Sequence, residues 1–271
     1  MTKLFVAFLA LLSPTFAWSE EFAIPGAGPT ETVTRLLAEG FNARQNAHRV
    51  TVPKSAGTAG AVAAIEQNES VLARTHDRQD LEALAKRGLH FIPFGADAVV
   101  FIVGDRVAIQ SFTTRQLADI FSGRVTDWRE LGQPAGPIRV VYRESTASSL
   151  QVIRHHLEPF RTLVFASAGM QMHRDFEVLN MLERLGTGIG FAARSNLPTA
   201  KTAIHATALD GVEPTPENVA SGRYRMTLRF GFLHKPPSLT AGARAFLAFV
   251  ASSEGRAIIK QAGVVPLEHK K

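Results

Sequence analysis

The chain has 271 residues, a formal net charge of +6 and no cysteine, which excludes a disulfide framework and a thiolate metal site and leaves stability to packing. Its length is comfortable for two lobes with cores of their own. The cationic excess attracts anions in general, but the basic residues are scattered and only two Trp and two Tyr could stack on bases, so a nucleic-acid surface is the weaker reading.

Residues 1–19 follow the order of a secretory signal: Lys3, the apolar run Leu4 to Leu12, then Ser13, Pro14 and Ala17-Trp18-Ser19, with cleavage expected after Ser19. That run is too short to span a bilayer, and no later stretch approaches the roughly 18 apolar residues of a spanning helix. A soluble, periplasmic protein is expected.

The first loop of interest, Gly26-Ala27-Gly28-Pro29-Thr30-Glu31, precedes a helix whose apolar face is spaced Val33, Leu36, Leu37, Gly40 and Phe41. Pro29 suits the first helical position and leaves the amides of Thr30 and Glu31 without intrahelical partners. Those amides, the positive helix end and the Thr30 hydroxyl make an anion seat. Val50 to Val52 reads as a strand and leads into Ser55-Ala56-Gly57-Thr58-Ala59-Gly60, ahead of a helix containing Val62 and Ile65. Its glycines let backbone come close, and Ser55 or Thr58 can donate.

Ala98 to Val103 reads as the next strand. Thr113 and Gln116 then form a capping box for a helix carrying Leu117, Ile120 and Phe121, which Gly123 stops. The strand Ile138 to Tyr142 runs into Arg143-Glu144-Ser145-Thr146-Ala147-Ser148-Ser149, before a helix with Leu150, Ile153 and Leu157. One guanidinium, several hydroxyls and a helix start converge in this third loop. At the end of that helix, His155 and His156 point about 100° apart, a poor geometry for joint metal ligation.

Ile189 to Ala192 and Leu228 to Leu233 read as further strands, Thr215-Pro216 as a cap and first-turn pair, and Ala245, Phe246, Phe249, Val250, Ile258 and Ile259 as the apolar faces of one or two closing helices. This alternation predicts an α/β protein with largely parallel sheets, whose ligands sit where strands turn into helices. Any one of the three loops reads as ordinary punctuation. Three of them, each between a strand and a helix, point to one anion site.

Taken together, these loops resemble those of the phosphate-binding proteins of bacterial phosphate ABC transporters, within the type II periplasmic binding protein superfamily. The same likeness is carried by Phe94-Gly95-Ala96-Asp97-Ala98-Val99-Val100, by Phe112 to Leu131 with Asp127-Trp128, by Gly188-Ile189-Gly190-Phe191 and by Ala208-Leu209-Asp210-Gly211-Val212-Glu213-Pro214-Thr215. The resemblance implies a two-lobed periplasmic binding protein type II fold, with two mixed, mostly parallel sheets joined by two crossover strands. Lobe 1 would take residues 20–102 and 194–271, and lobe 2 residues 103–193. It implies a monomer without cofactor that captures a small oxyanion, phosphate foremost, and passes it to an ABC permease.

The ligand contacts it implies are Thr30 and Glu31 in the first loop, Thr58 in the second, and Arg143, Ser148 and Ser149 in the third. Where the family often has a serine-serine or serine-aspartate pair, this chain has Arg74-Thr75, followed by His76 and Asp77. In the relatives that carry it, the aspartate accepts a proton from phosphate and so rejects sulfate. Arg74 would instead seat a more highly charged anion or a carboxylate, and Asp77 could replace the aspartate by turning inward. The family's glycine-serine-glycine-threonine pattern is replaced by Thr146-Ala147-Ser148-Ser149.

Two rival readings stand beside this one. One is a periplasmic sensor or accessory protein of the same fold, binding another anion, a carboxylate or no ligand. The other, a phosphoester-processing enzyme, lacks support: no His-Glu-x-x-His, Gly-x-Ser-x-Gly or Gly-x-x-x-x-Gly-Lys-Ser/Thr occurs in the chain.

Overall fold

The computed structural model describes residues 20–197 and 203–267, so the expected export segment lies outside the described residues. Along the chain come β1 (Glu20–Ala23), α1 (Glu31–Arg44), β2 (His48–Thr51), α2 (Gly57–Glu66), β3 (Ala73–His76), α3 (Leu81–Lys86) and the long β4 (His90–Gly104). Next are β5 (Ser111–Phe112), α4 (Thr114–Ser122), β6 (Arg139–Arg143), α5 (Ser148–His156), β7 (Met170–Met172), α6 (Asp175–Leu185) and β8 (Gly188–Ala193). The chain closes with β9 (Ile204–Ala206), β10 (Ala208–Leu209), α7 (Pro216–Ala220), β11 (Thr227–His234), α8 (Ala241–Ala251), α9 (Ser253–Gln261) and β12 (Val265–Pro266).

Strand β4 organises both lobes. Its first half pairs with β11, from His90 opposite His234 to Ala98 opposite Thr227. From Val99 onward it pairs with β8, Val99 opposite Ala193 and Val103 opposite Ile189. The partner changes at the Ala98–Val99 step, so one continuous strand belongs to two lobes. A single sheet path, β3-β11-β4-β8-β6-β7, results, with β9 and β12 also on β4. The expected boundary at 102/103 falls inside β4, and the one at 193/194 at the end of β8.

The sheets are mixed, as expected, with more antiparallel pairing than the alternation of strands and helices suggests. The pairs β6 with β8 and with β7, and β1 with β2, are parallel. All pairings of β4, and that of β3 with β11, are antiparallel. The cause is the shared strand: β4 runs out of one lobe into the other, and the segments that return along it travel the opposite way.

Each lobe has an aromatic core. Phe94 stacks on Phe232 at 4.8 Å between ring centres, and Phe246 meets both Phe232 and Phe41 edge-on. In the other lobe Phe101, Phe121, Phe160 and Phe191 surround one another at 5.7 to 6.2 Å. Such offset and edge contacts add to the burial of the rings. Helix α1 buries Val33, Leu37 and Phe41 and leaves Leu36 at the surface. Gly40 lets it close on its neighbours, because a Cβ there would lie 2.5 Å from Ile258 Cδ1 and 3.2 Å from Phe249 Cζ. The capping box of Thr113 and Gln116 forms as expected, and Gly123 ends α4 in the left-handed conformation at φ 81°.

Candidate anion-binding site

The three loops meet. Gly28 and Pro29 of the first, Gly57, Thr58 and Ala59 of the second, and Arg143, Thr146 and Ser148 of the third line one cavity of about 480 Å³ between the lobes. Helices α2 and α5 begin at its wall with Ala56 and Ala147 as caps, and neither side chain can accept from the first turn. Their positive ends lie at this wall, and of the leading amides only Gly57 N is taken up by a side chain, donating to Ser55 Oγ at 3.2 Å.

The expected contacts divide into wall and scaffold. Thr58, Arg143 and Ser148 line the cavity, and Glu31 lines an adjoining one of about 320 Å³ that shares Gly28, Ser55 and Arg174 with it. Thr30 stands behind the wall: it is fully buried, and its hydroxyl donates to Ala27 O at 2.9 Å. That bond holds the first loop in shape. Ser149 is also fully buried, and its hydroxyl has no hydrogen-bond partner among the described residues. Thr75, equally buried, accepts from the Gln79 amide. Asp77 does not turn inward; its carboxylate accepts from Arg229 N at 3.1 Å and Nε at 2.8 Å.

Arg74 is a brace. Fully buried, it donates to the carbonyls of Ile24 and Pro53 and to the Glu31 carboxylate. Gly26 packs on its main chain so closely that a Cβ there would collide with the Arg74 carbonyl. Burial lowers its pKa to about 10 against the pull of Glu31, so the guanidinium stays charged at neutral pH and joins β1, β2 and the start of α1. Arg74→Leu is expected to destabilise the fold by about 3 kcal/mol, because it strands buried acceptors; chemical denaturation measures this.

Sequence reasoning missed what holds Arg143. Its Nη1 meets the buried carboxylate of Asp175 at the start of α6. Nη2 donates to His173 O at 2.8 Å and to Glu144 Oε1 at 3.1 Å. Asn196 extends this network to the first loop: Nδ2 lies 3.2 Å from Asp175 Oδ2 and 3.4 Å from Gly28 O, while Thr32 Oγ1 donates to Oδ1 at 2.8 Å. The guanidinium is therefore fixed in orientation and its charge is shared with two carboxylates. An anion in this cavity would be held by amides and hydroxyls as much as by a bare cation. The one signal for Asp175 was an acid in the first turn of a helix; Asn196 carried none. Among the described residues no group of three His, Asp or Glu could hold a metal ion.

Comparison with known proteins gives this geometry its context. The model of a PBP superfamily domain matches residues 18–254. The chain is 23% identical over 259 residues to Phosphate-binding protein PstS of Borreliella burgdorferi, covering 90% of each. It is 26% identical over 268 residues to Protein SphX of Synechococcus elongatus, covering 90% of this chain and 77% of that one. A candidate phosphate ABC transporter substrate-binding protein from Clostridium perfringens, crystallised with bound phosphate, superposes with a TM-score of 0.79 at 21% identity, covering 92% of this chain and 100% of that one. The structural likeness carries the fold, two-lobed and mixed α/β, and the family model spans most of the sequence: the chain belongs to the PBP superfamily, as a divergent member whose relatives include phosphate-binding proteins.

Proposed function

We propose that the protein is an exported solute-binding protein that captures a small oxyanion, phosphate foremost, between its lobes and delivers it to an ABC permease, acting as a monomer and making no covalent bond to its ligand. The observation that carries this reading is the meeting of three loops, two of them opening helices whose N-cap residue is an alanine, at one cavity. Export rests on the signal-like order of residues 1–19 and accords with the lack, among the described residues, of a helix long and apolar enough to cross a membrane. Micromolar binding requires about 8 kcal/mol. Hydrogen bonds to a charged partner contribute roughly 1.5 to 3 kcal/mol each, so around six donors suffice after ordering costs.

The carboxylates beside the cavity are engaged: Glu144 by Arg143, and Glu31 by Arg35, Arg74 and Ser55 N. With Asp77 held by Arg229, the carboxylate in this wall is that of Glu144, both of whose oxygens already accept from Arg143, which leaves it a weak acceptor for a phosphate proton. Sulfate is therefore expected to bind within about tenfold of phosphate, a difference of about 1.4 kcal/mol. A thermal-shift panel tests both points. Ligand at a hundredfold over its Kd stabilises by about 2.7 kcal/mol, so millimolar phosphate, arsenate and sulfate should each raise Tm by several degrees. A clear shift with small carboxylates and none with these oxyanions would overturn the ligand assignment.

A further inference from the structure

The hydroxyl of Thr58 is governed from behind by a residue that does not line the cavity. His76, on β3, is 2% exposed, and its two ring nitrogens meet different partners. Nδ1 lies 3.2 Å from the backbone N–H of Arg78. A backbone N–H can only donate, so Nδ1 must present its lone pair. Burial keeps the ring neutral, lowering its pKa to about 4 against the opposing pull of Asp77. A neutral ring with a lone pair on Nδ1 carries its proton on Nε2, and Nε2 lies 3.1 Å from Thr58 Oγ1.

The direction of this bond follows: the ring donates and the hydroxyl accepts. Thr58's own O–H proton has no second partner among the described residues, and the side chain opens on the cavity. An oxygen that already accepts from an N–H donates its proton more readily to the next acceptor in line.

We propose that His76 is a positioning residue which, as the Nε2–H tautomer, fixes Thr58 as a donor toward the ligand, so that this wall selects an accepting oxygen. The inference rests on the reading that the cavity takes an oxyanion. It adds that the ligand oxygen facing the second loop is one that accepts, whatever proton the anion carries elsewhere. An alcohol or protonated acid oxygen placed there would have to accept with a lone pair and send its own proton elsewhere, and a group that can only donate, such as an ammonium, would find no acceptor in that proton.

Two measurements test it. In ¹⁵N spectra of the full chain at neutral pH, the His76 ring should show a protonated Nε2 and a bare Nδ1; the reverse tautomer overturns the proposal. Calorimetric titration with inorganic phosphate then follows the wild type, Thr58→Val, His76→Gln, His76→Phe and the Thr58→Val/His76→Phe pair. Thr58→Val should weaken binding about tenfold, one charge-assisted hydrogen bond. His76→Phe should weaken it to a similar extent, and the pair no further than either alone. His76→Gln, whose amide can supply the same N–H, should stay within about threefold of the wild type.

Additive losses in the pair, or equal losses with Gln and Phe, would reduce His76 to a packing residue and overturn its role while leaving the anion site intact. If the wild type bound none of phosphate, sulfate and arsenate, the anion reading itself would fall, and this role with it.

Discussion

Arg143→Gln is expected to weaken phosphate binding about a hundredfold and to destabilise the fold by about 3 kcal/mol. The two losses have different origins. The guanidinium lines the cavity beside Ser148 and contributes its charge to the seat. Behind the wall it neutralises Asp175, a carboxylate 3% exposed, and half-buried Glu144. Removing the cation leaves a buried negative charge without its counterion, and that uncompensated charge is what destabilises the fold. The double variant Arg143→Gln/Asp175→Asn should recover most of the stability, since an amide pair can hydrogen-bond without charge, yet none of the affinity. Calorimetry and urea denaturation on the same samples separate the effects. Full recovery of binding in the double variant would show that Arg143 serves only to satisfy Asp175.

The second large effect concerns acid. Asp97 sits on β4 one residue before the change of partner, fully enclosed, accepting from Ala98 N at 2.8 Å and Ser195 N at 2.9 Å. Burial pushes its carboxyl up to about 6, while the bonds from Ser195 oppose the rise. Between about 4 and about 6 the folded chain thus holds a proton that the unfolded chain has released, so Asp97 favours the fold at low pH and that contribution is lost as pH rises through 6.

His76 does the opposite. Its ordinary value of 6.5 is lowered to about 4, so the unfolded chain takes up the proton first, and the contribution present above 6.5 is lost as pH falls toward 4. Each displacement is worth about 3 kcal/mol, and over the shared window the two slopes cancel. Stability of the wild type between pH 4 and 6 is expected to change little on their account. Asp97→Asn should make it rise with pH across that window, and His76→Gln should make it fall. Urea midpoints at several pH values decide this; parallel profiles for both variants and the wild type would contradict the assignment of these groups.

What could be read from the sequence was whatever is local. The loops at Gly26, Ser55 and Arg143 announce themselves through glycine, hydroxyl and strand-to-helix placement, and the capping box of Thr113 and Gln116 through spacing alone. What could not be read depends on distant partners. Only Ala98 to Val103 reads as strand, because Pro93 and Gly95 interrupt the pattern before it. In the fold Pro93 sits opposite Gly231 where the register of β11 shifts, and Gly95 leaves room for Val264, so β4 runs on through both. That extension makes it the shared strand and reverses the direction of its neighbours.

Arg74 shows the same limit within the site. As a sequence residue it is a free cation beside an anion loop. In space its two terminal nitrogens are engaged by Ile24 O, Pro53 O and Glu31, acceptors contributed by segments 21 to 50 residues away. Asp175 lies 32 residues beyond Arg143 and meets it only because β7 pairs with β6 and delivers the start of α6 to the same edge. No spacing rule carries that information.

Arsenate, a phosphate mimic with a strong anomalous signal, can report where the anion sits. In crystals of the protein soaked with arsenate, the anomalous peak is predicted in the cavity bounded by Gly28, Thr58, Arg143 and Ser148. A peak at full occupancy anywhere else, with none between these residues, would contradict it.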